Sequence, residues 1–336
     1  MPQQALVAIG AGLAAALLFF IPVKGTAFAM TIALFASLPL MIVGLAFSPA
    51  AALFGAVAGT IALNLGIAAF TEVSASAAFV FSVFFAATAA LPAWQLTRLA
   101  WLGRPPVAGE TPASDGLVWY PIGMLVAWMA GLAAAASAAG LLFAVIRWGS
   151  FDAFLTESTT RLTPMVEAIF KGRDGLPGGL ATEDLARTFV MLTAPVTAAW
   201  TVGALALNLW LAGRIALVSQ QLRRPWLDVP ENFQLPRVMG PLFLLSLGMT
   251  LLGGLPLVLG GIGAAALGAA LALKGLATVH AATRTNAARG LLLVMLYTAM
   301  LMLFPLPLPL LAAVGLAGVF NRGKKAPPHP PAANNP

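Results

Sequence analysis

The sequence predicts an all-α fold, a polytopic transmembrane helical bundle of about eight to ten spans with one amphipathic extracytoplasmic segment. Three observations predict it. Of 336 residues, 60% are hydrophobic and 9% charged, where soluble domains carry about 25% charged residues. The apolar residues fall in runs of about 20, the length a helix rising 1.5 Å per residue needs to cross about 30 Å of hydrocarbon. Several runs end in Arg beside Trp, the pairing that marks a membrane interface. The clearest case is residues 189–224, where an uncharged stretch gives way to Arg214, Arg223 and Arg224, with Trp210 and Trp226 beside them.

Residues 4–21 make the first span, and Lys24 and Gly25 turn the chain into the second, 27–47. Pro39 bends that helix, because it removes a backbone hydrogen bond that Ser37 or a neighbouring helix must replace. The third span, 50–70, has Gly55 and Gly59 in GxxxG spacing, with Thr60 and Asn64 four residues apart on one face. The fourth, 75–96, ends in LPAWQLTRLAWLGRPP, which carries Trp94, Arg98, Trp101 and Arg104. Residues 107–117 are rich in Pro and Gly and read as a loop, and the fifth span runs from Trp119 to the neighbourhood of Ile146.

Residues 147–187 are the amphipathic extracytoplasmic segment. Phe151, Phe154, Leu155, Leu162, Met165, Val166, Ile169 and Phe170 recur at helical spacing, which predicts a helix lying on the membrane and interrupted near Pro164. The turn-rich KGRDGLPGG follows from Lys171, and Thr182 caps the sixth helix, with Glu183 and Asp184 in its first turn. After RRPWLDVPENFQLPR come a short seventh span, 238–252, a reversal at Gly253, Gly254 and Pro256, and an eighth span, 255–279. Pro305, Pro307 and Pro309 divide the last apolar stretch, 291–320, into two short spans. Residues 1–320 thus form one membrane domain, and 321–336 a basic, Pro-rich tail too poor in apolar residues to pack. Most of the 18 Lys and Arg residues fall in the loops after the fourth, sixth and eighth spans and in the tail, which sets both termini in the cytoplasm.

The same residues exclude several classes of function. The net charge of +7 is spread singly and in pairs beside apolar runs, without the dense basic face that nucleic acid requires. Cysteine is absent and His280 and His329 are the only histidines, so no thiolate or multi-His metal site is expected. No acidic residue lies within a confident span, which argues against a proton pump. Metalloprotease, P-loop and nucleophile-elbow motifs are missing, so the expectation is no enzyme and no cofactor.

Two sets of residues remain as candidates. Asn64, Asn208 and Trp200 are candidate contacts for a small, largely uncharged or aromatic solute bound between helices, which would make the protein a transport-like component. The competing expectation for both amides is an interhelical hydrogen bond. Arg98, Arg104, Arg214, Arg223, Arg224 and Trp226 are the second set, candidates for docking a membrane or cytoplasmic protein on a non-transporting scaffold. Membrane anchoring explains the same residues.

Four segments spread along the chain, LPAWQLTRLAWLGRP at 91–105, WYPIG at 119–123, NLWLAGR at 208–214 followed by RRPWLDVPENFQLPR, and KGLATVHA at 274–281, resemble the YybS-like family of polytopic bacterial membrane proteins in its alphaproteobacterial form. The resemblance implies a bacterial inner-membrane location and genes that often lie near those of ribosomal proteins. It also implies a distant similarity to the substrate-binding membrane subunits of energy-coupling-factor vitamin transporters. It brings no catalytic residues.

Overall fold

The computed structural model describes residues 2–21, 27–170, 181–226 and 228–321. The expected turn at Lys24, the loop from Lys171 and the tail beyond Asn321 lie outside them. The chain is all-α, and seven helices are long and apolar enough to cross a membrane: Gln3–Phe20, Phe28–Ala46, Pro49–Phe70, Ala75–Ala100, Ile122–Trp148, Thr182–Val218 and Gly254–Ala282. Three shorter apolar helices, Met239–Leu252, Arg289–Met302 and Pro307–Phe320, complete the bundle.

Helix α1 (Pro2–Phe20) lies along α4 (Pro49–Phe70). Gly12 faces Gly55 and Gly59 so closely that a Cβ on any of the three would overlap the opposite backbone. This close approach is what GxxxG spacing allows in lipid, where helices associate by packing. The other N-terminal glycine, Gly10, has open space around it. Ser48 starts α4 by accepting from the Ala51 N–H at 3.1 Å, with Pro49 in the first turn, where its missing N–H costs nothing.

Between α1 and α4 the second span is broken rather than bent. Helix α2 (Ala27–Ala33) and α3 (Leu38–Ala46) are separated by residues 34–37. There Phe35, Ala36 and Leu38 donate to carbonyls three residues back, at 3.0 Å each. The break sits just before Pro39, in the first turn of α3, and leaves the Leu34 carbonyl without its helical donor. In the fourth span the proline response differs. Helix α5 (Ala75–Phe85) passes through a π-helical stretch, Ala86–Ala90, into α6 (Leu91–Ala100), with Pro92 in the first turn of α6. The widened turn absorbs the missing N–H, as π-bulges do.

The loop after α6 closes a small antiparallel ladder, β1 (Gly103–Arg104) with β2 (Val118–Trp119), which the composition of the loop did not reveal. Helix α7 (Ile122–Trp148) then crosses the bundle, and Gly149 ends it with φ 83°. Helix α8 (Phe151–Phe170) corrects the sequence reading once. Pro164 lies inside it without interrupting it, since proline keeps a helical φ and forfeits only one bond. Its buried Leu155, Thr159 and Val166 face protein, because α8 packs on α7 and on α9 (Thr182–Val218). Helix α9 begins one residue earlier than expected, with Ala181 at the cap position and Thr182 inside the first turn.

The C-terminal third is built around α12 (Gly254–Ala282). A short helix α10 (Val229–Asn232) leads to α11 (Met239–Met249), which Gly253 (φ 71°) and Gly254 (φ 55°) turn back into α12. Helix α11 packs on the first half of α12, with Gly260 and Gly263 against Met249 and Ser246. Helix α14 (Pro307–Phe320) packs antiparallel on the second half, with Gly275 against Leu311 and Gly315 against Leu271. The two half-length helices meet where Phe320 covers Gly240. This arrangement overturns the expected ninth span. Helix α13 (Arg289–Met302) follows the end of α12, yet α14 starts back beside the last turns of α12, so α13 returns the chain to the same end of the bundle. It buries none of its residues, and its Tyr297 hydroxyl lies 2.8 Å from Nε2 of His280 in the last turn of α12.

Alternation of these helices gathers the ends of α3, α6, α9 and α12 and the start of α7 at one end of the bundle. Arg98, Arg104, Arg214, Arg223, Arg224 and Arg284 collect there as well, and it is called the basic end below.

Candidate functional site

The amide at Asn208 is fully buried, 0% exposed, and its work is structural. Its Nδ2 donates to the Leu34 carbonyl at 2.7 Å and to Ser37 Oγ at 3.0 Å. Those are the groups set free at the α2–α3 break, so α9 satisfies the backbone that Pro39 left open. Irregular backbone within a membrane bundle needs a partner of this kind. Asn208 Oδ1 has no partner among the described residues. Asn64, on α4, is half-buried, while Trp200 is 55% exposed on the outer surface of α9. Among the described residues, none of the three lines the cavity at the basic end or the smaller one beside Pro195.

The basic residues are engaged within the chain. Arg104 pairs with Glu110 at 2.6 Å across the β1–β2 loop, and Trp119 Nε1 donates to Asp115 Oδ2 at 2.9 Å in the same loop. Arg104 holds the Glu110 carboxyl down to about 2, because a charge-assisted bond favours its ionised form. Arg98 lies over Trp94 with its guanidinium carbon 5.9 Å from the ring centroid, Arg214 over Trp226 at 5.4 Å, and Arg223 over Trp101 at 4.6 Å. The last pair ties the loop after α9 to the end of α6, a cation–π contact between two chain segments more than 100 residues apart.

That loop folds back onto the bundle. Phe233 and Leu235 are buried, and the Gln234 carbonyl lies so near Gly123 that a Cβ there would overlap it. Arg284, just past α12, holds the loop from outside by pairing with Asp228 and with Glu231, the latter at 2.6 Å. The hydrogen bond from Arg284 keeps the Asp228 carboxyl below its ordinary range.

Beneath the loop is a cavity of about 580 Å³. Helix α7 contributes Ile122, Leu125, Val126 and Met129, α9 contributes Gly203, Ala206, Leu207, Trp210 and Gly213, and α12 contributes Leu273, Leu276, Ala277 and His280. The loop adds Leu222, Arg224, Trp226 and Phe233, and α13 adds Tyr297. Leu207, Trp210 and Tyr297 line the cavity and are also exposed on the outer surface, so it opens sideways between α9 and α13. The volume lies within the usual range for ligand pockets, about 300–1,000 Å³.

Arg224 is the cation on this mostly apolar wall, whose other polar side chains include His280 and Tyr297. It is half-buried, its Nη2 donates to the Tyr120 carbonyl at 3.4 Å, and its guanidinium carbon lies 6.0 Å from the Trp119 ring centroid. It makes no ion pair with any described carboxylate, and burial lowers its pKa. The sequence offered one signal for this site, the run of Leu222, Pro225, Trp226, Val229 and Phe233 in a segment too polar to be a span.

No family model, curated protein or solved structure matches the chain. The resemblance to the YybS-like family therefore stays an expectation carried by four short segments. Composition and architecture together establish a polytopic membrane protein, with seven helices among the described residues long and apolar enough to cross a bilayer and a cavity at the basic end.

Proposed function

We propose that this protein binds a hydrophobic ligand, drawn sideways from the bilayer, in the cavity between α7, α9 and α12, and that it serves as a transport-like component of a bacterial inner membrane. The observation that carries the reading is the cavity itself: about 580 Å³, apolar, and lined at its rim by the lipid-facing Leu207, Trp210 and Tyr297. The solute position moves from Asn64, Asn208 and Trp200 to this wall, since none of the three lines it. The scaffold alternative has less behind it, because Arg98, Arg104, Arg214 and Arg223 each contact a group of their own chain and Arg224 lines the cavity instead.

The test is cavity filling. A Cβ on Gly203 meets nothing within 4 Å, so Gly203→Leu together with Ala206→Leu is aimed at filling the rim, with the melting temperature of the double variant as the check that it folds. Native mass spectrometry of protein extracted gently from membranes should find a bound hydrophobic molecule on the wild type and lose it from the double variant. Equal retention by both would refute the reading.

The positive-inside rule places the basic end, with the N-terminus, in the cytoplasm; the expected cytoplasmic C-terminus loses its ground, since α14 starts at the basic end and runs away from it along α12. The chain has no cysteine, so Thr156→Cys on α8 and Ser114→Cys in the β1–β2 loop report sidedness directly. An impermeant maleimide on intact cells should label the first and spare the second. The reverse pattern would invert the topology.

A further inference from the structure

We propose that the cavity ligand is an anionic lipid, its acyl chain lying along α9 and α12 and its carboxylate or phosphate headgroup held by Arg224. The inference rests on the cavity reading above and adds the charge of the ligand to it. A guanidinium carries five N–H donors in a planar fork, and in Arg224 the Tyr120 carbonyl takes one of them, at 3.4 Å. The Trp119 ring supports the cation on one side. No described carboxylate balances the charge, although Arg104, Arg161 and Arg284 all find acidic partners on the same chain. A cation withdrawn from water without a counter-charge is costly to hold, and burial already depresses its pKa.

An oxyanion fits the fork in two parallel hydrogen bonds, which is why Arg recognises carboxylates and phosphates better than Lys. The wall beyond Arg224 offers Leu273, Leu276, Ala206 and Phe233, which an acyl chain can cover and a free anion cannot use. Free phosphate would satisfy the charge and leave that apolar wall unfilled. A neutral lipid would fill the wall and leave Arg224 unbalanced. An anionic lipid satisfies both, and the side opening at Trp210 and Tyr297 gives it a route from the bilayer.

The experiment uses the full chain in neutral detergent, with oleate and oleyl alcohol as probes that share a chain and differ in the anion, and inorganic phosphate as the chainless anion. Oleate should bind at least tenfold tighter than oleyl alcohol and raise the melting temperature, while phosphate does neither and fails to displace oleate. Arg224→Gln should lose at least tenfold in oleate affinity, about 1.4 kcal/mol, and leave oleyl alcohol unchanged. Without any probe the variant should melt at or above the wild-type temperature, since it removes an unbalanced charge. Arg224→Lys should fall between the two.

Equal affinity for oleate and oleyl alcohol on the wild type would overturn the headgroup assignment and leave the cavity reading standing, and this comparison requires no variant to fold. Binding of neither amphiphile would overturn both. Displacement of oleate by inorganic phosphate would make the site one for a free anion. A lower melting temperature of Arg224→Gln without probe would make Arg224 a brace for Tyr120 and Trp119, and would overturn the proposal.

Discussion

Small residues line two places in this bundle, with opposite results. Between α1 and α4, Gly12, Gly55 and Gly59 face one another, and the backbones close until no Cβ fits. Between α9 and α12, Gly203 and Ala206 on one helix and Ala277 on the other border a cavity, and a Cβ on Gly203 meets open space. Glycine seals an interface where a neighbouring backbone comes right up to it, as between Gly12, Gly55 and Gly59 and again where Gly275 meets Leu311. Where the neighbours are Leu273, Leu276 and the re-entering loop, the same small side chains leave a void. Lipid gives helices no hydrophobic drive to collapse it, so the void persists.

The sharpest way to break this comparison is to put the same side chain in both places. Gly12→Leu should destabilise the protein by 3 kcal/mol or more, since overpacking alone costs about 1–3 kcal/mol and here backbone is the obstacle. Gly203→Leu, in the open crevice, should stay within about 0.5 kcal/mol of wild type. Thermal unfolding in detergent checks both, and equal melting shifts would erase the distinction between sealed and open.

A smaller effect separates structure from ligand at Asn208. Asn208→Leu strands the Leu34 carbonyl, and should cost about 1 kcal/mol, the scale of interhelical hydrogen bonds in membrane bundles. Ligand retention should not change. A loss of ligand with unchanged stability would return the binding site to the α2–α3 break.

Next comes the loop over the cavity. Arg284→Ala removes both ion pairs that hold Asp228 and Glu231, so protease cleavage within residues 219–238 should quicken several-fold with the helices intact. Unchanged cleavage would mean that the packing of Phe233 and Leu235 holds the loop unaided.

Acid gives the smallest effect and probes the same end of the bundle. Glu110 and Asp228 both have carboxyls held below their ordinary range, Glu110 at about 2 against a reference of 4.5. A depressed carboxylate contributes stability that is present above its unfolded pKa and lost as pH falls through the folded one. The Arg104–Glu110 link should therefore weaken only as pH drops from 4.5 toward 2, seen as faster amide exchange in residues 103–119. Opening of this loop between pH 5 and 7 would contradict the pairing.

Several features were legible before any contact was known. The long apolar runs, the GxxxG spacing of Gly55 and Gly59 and a distortion of the second span at Pro39 follow from residue types at local spacing, whereas the pairing with Gly12 and the break itself came from the structure. Other readings failed for a common reason. Arg224 reads as an interfacial anchor in sequence, and only the fold of the loop turns it toward a cavity. Helix α13 is as apolar as a span and of similar length to α14, yet it returns to its starting end, because α14 packs antiparallel on α12. Trp200 sits on the same helix as Trp210, and ten residues separate a lipid-facing position from a cavity rim.

Sequence alone determined the solvent of this chain, since partition into lipid depends on the hydropathy of each run and on nothing distant. It marked the second span as distorted at Pro39 without deciding that it breaks there, and it misplaced an interruption at Pro164, which α8 carries unbroken. Tertiary structure decided which helix ends meet, which small residues face each other, and which cation is left without a counter-charge. Those outcomes depend on partners far along the chain, as Asn208 and Leu34 or Arg223 and Trp101 illustrate, and no local pattern encodes a distance between segments.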